Sequence, residues 1–285
     1  MTIYNYKFFK QLSENMYAAY LRKFYKEIMG KRLNLDNPKR LSEKIQWLKL
    51  YDVTPLKTQL TDKLGLRAYC NEHLPEIKFA KVYTSGNSFE ELDFDLCPDE
   101  IVVKCNHACR EHVFVKDKNV FIENYEFQKK HWNKILSSNY AFNSYFELQY
   151  KDIKSKIFIE EHVRNNDFQV GYVEYRISCF NGEPKIIELF IQDKVAFFDT
   201  NWIRLGIEYK YHQNLGDDQI IKPKNLDKML ELAKKLSKDF KFVRVDMYEH
   251  NNNCHLSEMT FTPFSGFIQY TQPENDDKFG QYLTI

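Results

Sequence analysis

The chain has 285 residues, and its 41 Lys and Arg balance 40 Asp and Glu to a formal net charge of +1. That balance, without a dense basic run, excludes a protein that holds nucleic acid through backbone charge. With 43% hydrophobic and 28% charged residues, the composition excludes a disordered chain and suits one large folded domain or two small ones.

The first residues carry Phe8, Leu12, Met16, Ala19 and Leu21 at helical spacing, continued by Phe24, Tyr25 and Met29 up to Gly30, which predicts one long helix. Asn37-Pro38 marks a turn, and a short helix is expected over 42–48. A third helix is expected from about Leu60 to Cys70, with Thr61 or Asp62 as its cap. After Pro75 the pattern turns to strands, with candidates at 77–83, 101–105, 113–115, Val120-Phe121 and 157–161. A helix over 127–136 carries Trp132 on its apolar side. The run 173–180 meets Asn181-Gly182, a strong hairpin signal, and 184–191 is the return strand. A helix over 225–235 precedes a second hairpin, 242–248 and 255–259, turned by Asn251-Asn252-Asn253. The whole reads as α+β with a mainly antiparallel core and helices near both ends.

No run of roughly 18 apolar residues occurs, so no transmembrane helix is expected. Residues 1–20 lack the basic start, apolar centre and cleavage site of a signal peptide. The six cysteines are scattered, which together with the missing signal predicts reduced thiols and a cytoplasmic protein.

Five constellations bear on chemistry. Asp246 and Glu258 sit late in the two arms of the second hairpin, where antiparallel pairing brings both carboxylates to one face. Such a pair suits a hard divalent cation, Mg²⁺ above all, or is two solvated strand carboxylates. Lys104 follows three β-branched residues, where it faces a ligand or an acid, or snorkels from a strand end. Arg176 and Arg244 lie inside strand runs and need anions if they point inward. Glu160-Glu161 ends a strand and offers carboxylates to a purine and its ribose, or is surface acidity. The segment Cys105-Asn106-His107-Ala108-Cys109-Arg110-Glu111-His112 gathers cysteines and histidines, but no second half closes a tetrahedral zinc site, which favours a loop over a ligand. No P-loop, Rossmann, nucleophile-elbow or HExxH pattern is present.

In order along the chain stand Leu41-Ser42-Glu43-Lys44-Ile45-Gln46-Trp47-Leu48-Lys49-Leu50-Tyr51, Thr61-Asp62-Lys63-Leu64 with Arg67, and Val103-Lys104-Cys105-Asn106-His107. They are followed by Ile159-Glu160-Glu161, Glu174-Tyr175-Arg176 with Cys179-Phe180-Asn181-Gly182, Val243-Arg244-Val245-Asp246, and residues 258–266. This ordered set resembles the TupA-like ATP-grasp proteins, bacterial proteins linked to teichuronopeptide and surface-polysaccharide biosynthesis. The resemblance implies an ATP-grasp fold, two α+β subdomains clamping ATP, here with a helical lead-in over 1–74 and subdomains over 75–155 and 156–285. It implies an ATP- and Mg²⁺-dependent ligase that activates a carboxylate as an acyl phosphate and joins it to an amine.

Matched position by position, the resemblance places Lys63 and Lys104 on the nucleotide phosphates, with Arg110 as a further contact in the altered loop. It places Glu160 and Glu161 at adenine and ribose, and Asp246 and Glu258 on the metal. Arg176 and Arg244 fall to the γ-phosphate or the substrate carboxylate, and His107 or a nearby carboxylate to the amine's proton. The expected partners are a carboxylate-bearing sugar or glycan precursor, a small amine or amino acid, and neighbouring envelope-synthesis enzymes at the membrane periphery. Two positions depart from the family pattern: 108–112 replaces a glycine- and serine-rich stretch, and Thr260 stands where a metal-binding Asn is common. A glycosyltransferase of the same pathways and a non-catalytic glycan-binding relative are the alternative readings.

Overall fold

A computed structural model describes residues 6–109, 111–163 and 172–285. The alternation of side chains along β5 (Val173–Phe180) explains the larger of its two sheets. Val173, Tyr175, Ile177 and Cys179 point one way, and Glu174, Arg176, Ser178 and Phe180 point the other. With both faces covered, β5 lies at the heart of a seven-stranded sheet that also contains β6 (Glu183–Ile191), β7 (Lys194–Phe198), β8 (Arg204–Leu205), β9 (Gln213–Asn214), β10 (Phe242–His250) and β11 (Asn253–Thr260). Its order is β11-β10-β5-β6-β7-β8, with β9 paired parallel to β7.

One face of this sheet packs Ile177, Leu189, Val243, Val245 and Met247 against Met229, Leu232, Ala233 and Leu236 of α9 (Leu226–Ser237). The other buries Phe180, Phe190, Phe197 and Phe242 against Leu41, Ile45 and Leu48 of α3 (Leu41–Tyr51) and Phe279 of α10 (Glu274–Tyr282). The α3 amino end is satisfied from α10, because Asp276 accepts from the Ser42 amide at 2.8 Å and its hydroxyl at 2.6 Å.

A smaller antiparallel sheet has the order β1-β4-β2-β3, from Val82–Gly86, Ile157–Glu161, Ile101–Cys105 and His112–Val115. One face sends Ile101, Val103, Ile157 and Ile159 onto Trp132 of α7 (Tyr125–Leu136) and Phe121 of α6 (Lys118–Glu123). The opposite face carries Lys104 and Glu160, alongside α5 (Lys63–His73).

Several expectations need correction. The first helix is two, α1 (Tyr6–Gln11) and α2 (Glu14–Met29), because Ser13 is extended between them. The third is also two, α4 (Pro55–Thr61) and α5, because Asp62 leaves the helical region and its carboxylate takes the Leu64 and Gly65 amides at 2.8 and 3.1 Å. Val120-Phe121 is helical, since Asp117 caps that turn through Asn119 and Val120. Of 77–83 only Val82 and Tyr83 join β1, while Lys78 bridges to His255. A boundary between 155 and 156 separates β4 (Ile157–Glu161) from the small sheet in which it pairs with β1 and β2. Nor do the residues before 74 form a layer of their own, as Leu60, Leu66 and Cys70 join the core of the large sheet.

Phe, Tyr and Trp make up 16% of the chain, and some of them gather in one place. Phe9, Tyr17, Phe24 and Phe146 form a ring cluster, with Tyr17 stacked on Phe146 at 4.8 Å and Phe9 edge-on to it at 5.4 Å; α8 (Tyr140–Asn143) adds Phe142.

The approach of α10 to the start of α3 is tested at Gly280, where a Cβ would stand 2.0 Å from the Lys39 carbonyl oxygen and 3.0 Å from the Leu41 nitrogen. Gly280→Ala is expected to push α10 off the start of α3 and lower stability by about 1–3 kcal/mol in urea unfolding. An unchanged midpoint contradicts this packing.

Candidate active site

Four charged residues stand opposite one another across adjacent strands of the large sheet. Glu258 pairs with Asp246, Asp246 with Arg176, and Arg176 with Glu188. Directly opposed residues share a face, so these form one row, on the face otherwise buried by aromatic side chains. The next rung adds Thr260 opposite Arg244. Between Asp246 and Met247 the β10–β11 register shifts by one residue, a bulge beside the two carboxylates that re-aims the end of β11.

Arg244 grips Asp246 with a two-pronged bond, Nε to Oδ1 at 2.7 Å and Nη2 to Oδ2 at 2.6 Å. Both side chains are buried. Burial pushes the Asp246 carboxyl up to about 7, more than Arg244 beside it pulls it down. The Thr260 hydroxyl lies 3.4 Å from Asp246 Oδ2 and 3.2 Å from Glu258 Oε1. Glu258 is the open member, its side chain 30% exposed. Burial acts to raise it, but Lys63, Arg244 and Arg176 together hold it down at about 2.

Lys63 reaches this row from the start of α5. Its Nζ lies 3.6 Å from Glu258 Oε2 and donates to the Ala108 carbonyl at 2.9 Å, tying the loop after β2 to the large sheet. On the small sheet, Glu160 is clamped between Lys104 and Arg67. Burial works to raise this carboxyl, and the two cations bring it below its ordinary value. Glu161, one residue on, accepts from the Lys81 amide at 3.3 Å.

The structure thus brings together Asp246, Glu258, Arg176, Arg244 and Lys63. Lys104 and Glu160, expected at different parts of a nucleotide, are each other's partners. Arg176 binds Glu174 through Nε at 2.6 Å and lies over the Phe190 ring, 3.6 Å from its centroid. His107 does not join the row: it is 2% exposed, and its Nε2 lies 3.3 Å from the Ile135 carbonyl oxygen. Burial lowers its pKa, which favours the neutral ring. Arg110 lies outside the described residues. The zinc reading of 105–112 gains nothing, because burial pushes the Cys105 thiol up to about 12, and among the described residues no three His, Cys, Asp or Glu could hold a metal.

Glu174, Glu188 and Arg67 gained no role from the sequence. Glu174 and Glu188 carry a signal, since each falls on the Arg176 face by period-two counting from a strand already assigned. Glu188 is buried, and its Oε2 has no hydrogen-bond partner among the described residues. The donors around Glu258, Asp246 and Thr260 are all oxygens, which fits a hard cation such as Mg²⁺. With both Asp246 oxygens engaged by Arg244, Glu258 is the more accessible of the two carboxylates.

Residues 43–284 match the family model described as TupA-like ATPgrasp. The chain belongs to the TupA-like ATP-grasp family. Its two sheets are therefore the two halves of an ATP-grasp fold. No curated protein matches the sequence. Among solved structures it is similar to D-alanine–D-alanine ligase from Bacillus anthracis, at 19% identity and TM-score 0.47, covering 78% of this chain and 63% of that one. It is similar to the same enzyme from Helicobacter pylori at 16% identity and TM-score 0.43, covering 85% and 69%. A RimK domain ATP-grasp protein from Sphaerobacter thermophilus gives 11% identity and TM-score 0.44, covering 80% and 69%. In the ATP complex of the B. anthracis enzyme, this chain spans 53% of that chain's length. Among the described residues no helix is long and apolar enough to cross a membrane.

Glu258 gives the site a pH signature. Its folded-state pKa is depressed from 4.5 to about 2, so its stabilising effect is complete above 4.5 and is lost as pH falls toward 2. The stability advantage of wild type over Glu258→Gln, read from urea midpoints, is expected to shrink across that window. A constant difference contradicts the depressed value.

Proposed function

We propose that the protein is an ATP- and Mg²⁺-dependent carboxylate–amine ligase. Its acceptor is a uronic acid of a capsular or cell-wall polysaccharide precursor, and its co-substrate a small amine or amino acid. The observation that carries this reading is the row itself, where oxygen donors, two guanidiniums and Lys63 converge on one face of the large sheet. Membership of the family supports it.

In this reading the acceptor carboxylate takes the γ-phosphoryl group of ATP and becomes an acyl phosphate, with ADP as the other product. The amine nitrogen then attacks the acyl carbon, the carbon–nitrogen bond forms, the bond to the phosphate oxygen breaks, and inorganic phosphate leaves. Arg176 and Arg244 stabilise the charge that gathers on the transferring phosphoryl group, and Lys63 adds a point charge from α5. Mg²⁺ held by Glu258 and Asp246, with Thr260 beside them, would supply further neutralisation of the phosphates. Lys104 and Glu160 serve the nucleotide from the small sheet, with Glu161 at the ribose. Glu188, with its unpartnered oxygen at the other end of the row, replaces His107 as the base that accepts the proton the amine nitrogen loses as the amide forms. The enzyme works in the cytoplasm beside the enzymes that build envelope glycans.

Titration calorimetry tests this. Asp246→Ala would strand a buried Arg244 at about 3–5 kcal/mol, so Glu258→Ala is the cleaner probe. Wild type is expected to bind ATP with Mg²⁺, and Glu258→Ala to lose about tenfold or more of the Mg²⁺-dependent affinity. ADP release is expected only with both glucuronate and a primary amine present. A pure wild-type protein that binds no nucleotide, with or without glucuronate, sinks the ligase reading.

A further inference from the structure

Four polar residues of α3, Ser42, Glu43, Gln46 and Lys49, are buried, and the chemistry above uses none of them. Lys49 is 1% exposed. Its Nζ donates to Gln46 Oε1 at 3.0 Å and to the Ser265 carbonyl at 2.9 Å, and Gln46 Nε2 donates to that same carbonyl at 3.0 Å. From the other side comes Glu147, 5% exposed, whose carboxylate accepts from the hydroxyls of Thr262 and Ser265. Ser265 thus joins the two buried charges, its carbonyl to the ammonium and its hydroxyl to the carboxylate. Gln149 Nε2 completes the set by donating to the Thr262 hydroxyl at 2.7 Å.

The segment held this way is strained. Phe264 and Ser265 both have φ of 52°, and Gly266 has φ of 74°. Tyr145 and Phe146, just before Glu147, are left-handed as well, at 59° and 64°. Such conformations cost L-residues on the order of 1–3 kcal/mol each and persist only where the surroundings over-determine them. Gly266 has no alternative, since a Cβ there would meet Gln46 Nε2 at 2.7 Å and Ile45 Cγ2 at 3.0 Å. A buried Lys and Glu are a poor way to gain stability, because apolar residues of like volume commonly do as well or better.

The turn is linked to both ends of the charged row, by the chain at one and through Tyr209 at the other. Thr262 follows Thr260 by two residues and Glu258 by four, at the end of β11. The Phe264 ring packs edge-on against Tyr209 at 4.9 Å, and Tyr209, whose pKa burial raises, has Glu188 beside it raising it further. We propose that Lys49 and Glu147 are positioning residues: they hold Phe264, Ser265 and Gly266 left-handed in the turn that follows β11 and thereby fix Glu258 and Thr260 for the metal–nucleotide complex. The role explains why residues of the 41–51 run that bear no ligand chemistry are polar and buried. It rests on the ligase reading for what is positioned, and on the turn alone for how.

The test uses the full chain and three readouts on Lys49→Met/Glu147→Leu: urea midpoint, hydrogen exchange, and calorimetry with ATP in the presence and absence of Mg²⁺. The midpoint is expected to stay near wild type. The Ser265 and Phe267 amides, bonded to Thr262 and Phe264 carbonyls at 2.9 and 3.0 Å, are expected to exchange roughly a hundredfold faster. Mg²⁺-dependent ATP affinity is expected to fall about tenfold, while Mg²⁺-free binding is unchanged. Should the double variant fail to fold, Ser265→Ala removes one of the hydroxyls bonded to Glu147 and is expected to move exchange and affinity in the same directions. Unchanged exchange at these two amides, or unchanged Mg²⁺-dependent affinity, overturns the positioning role and leaves the ligase reading standing. No nucleotide binding by wild type overturns the ligase reading, and the metal–nucleotide half of this proposal with it.

Discussion

The bond between Arg244 and Asp246 is the interaction on which the rest of the structure turns. It places opposite charges on one strand at the centre of a sheet, where both side chains are out of water. Taking two charges into that environment is favourable only with close geometry and further polar partners. Those partners are what the neighbouring strands supply: Glu258 and Thr260 from β11, Arg176 and Glu174 from β5, Glu188 from β6. Remove the row and this face is an ordinary apolar one, with Phe180, Phe190, Phe197 and Phe242 packed on α3 and α10. The polar stripe is an island in a hydrophobic face, where poorly screened charges act on one another and on a ligand more strongly than they would in water.

Two links carry that row to the small sheet. Lys63 spans from Glu258 to the loop after β2, and Lys104 and Arg67 converge on Glu160 one layer away. Lys63 and Arg67 are both on α5, a helix that begins where Asp62 turns the chain and caps it. One short helix therefore sets two cations, one toward each sheet. A substrate with several negative charges would meet cations from both halves of the fold.

Much of this was legible in the sequence where the signal is local. The Asn-rich turn and the alternation on each side were enough to pair Asp246 with Glu258, and the register confirms that they are direct neighbours. Asn181-Gly182 was legible for the same reason, with φ of 49° and 80° in a two-residue turn. What escaped were partners distant in sequence. Nothing near Glu160 announces Arg67, ninety-three positions away, and nothing near Lys49 announces Glu147 or Ser265. Lysine and glutamate on a helix ordinarily indicate a solvated face. In α3 the polar residues Ser42, Glu43, Gln46 and Lys49 are all buried. His107 failed in the opposite direction: its place in a polar, cysteine-rich loop suggested chemistry, while packing made it part of the small-sheet core.

The central claim is that phosphates and metal meet on the Arg244–Asp246 face. A crystal structure of the protein with Mg²⁺ and a non-hydrolysable ATP analogue tests it most directly. The account predicts the nucleotide between the two sheets, its phosphates reaching Lys63, Arg176 and Arg244, and the metal on Glu258. A nucleotide bound elsewhere, or a metal held by other residues with the charged row unchanged, contradicts it.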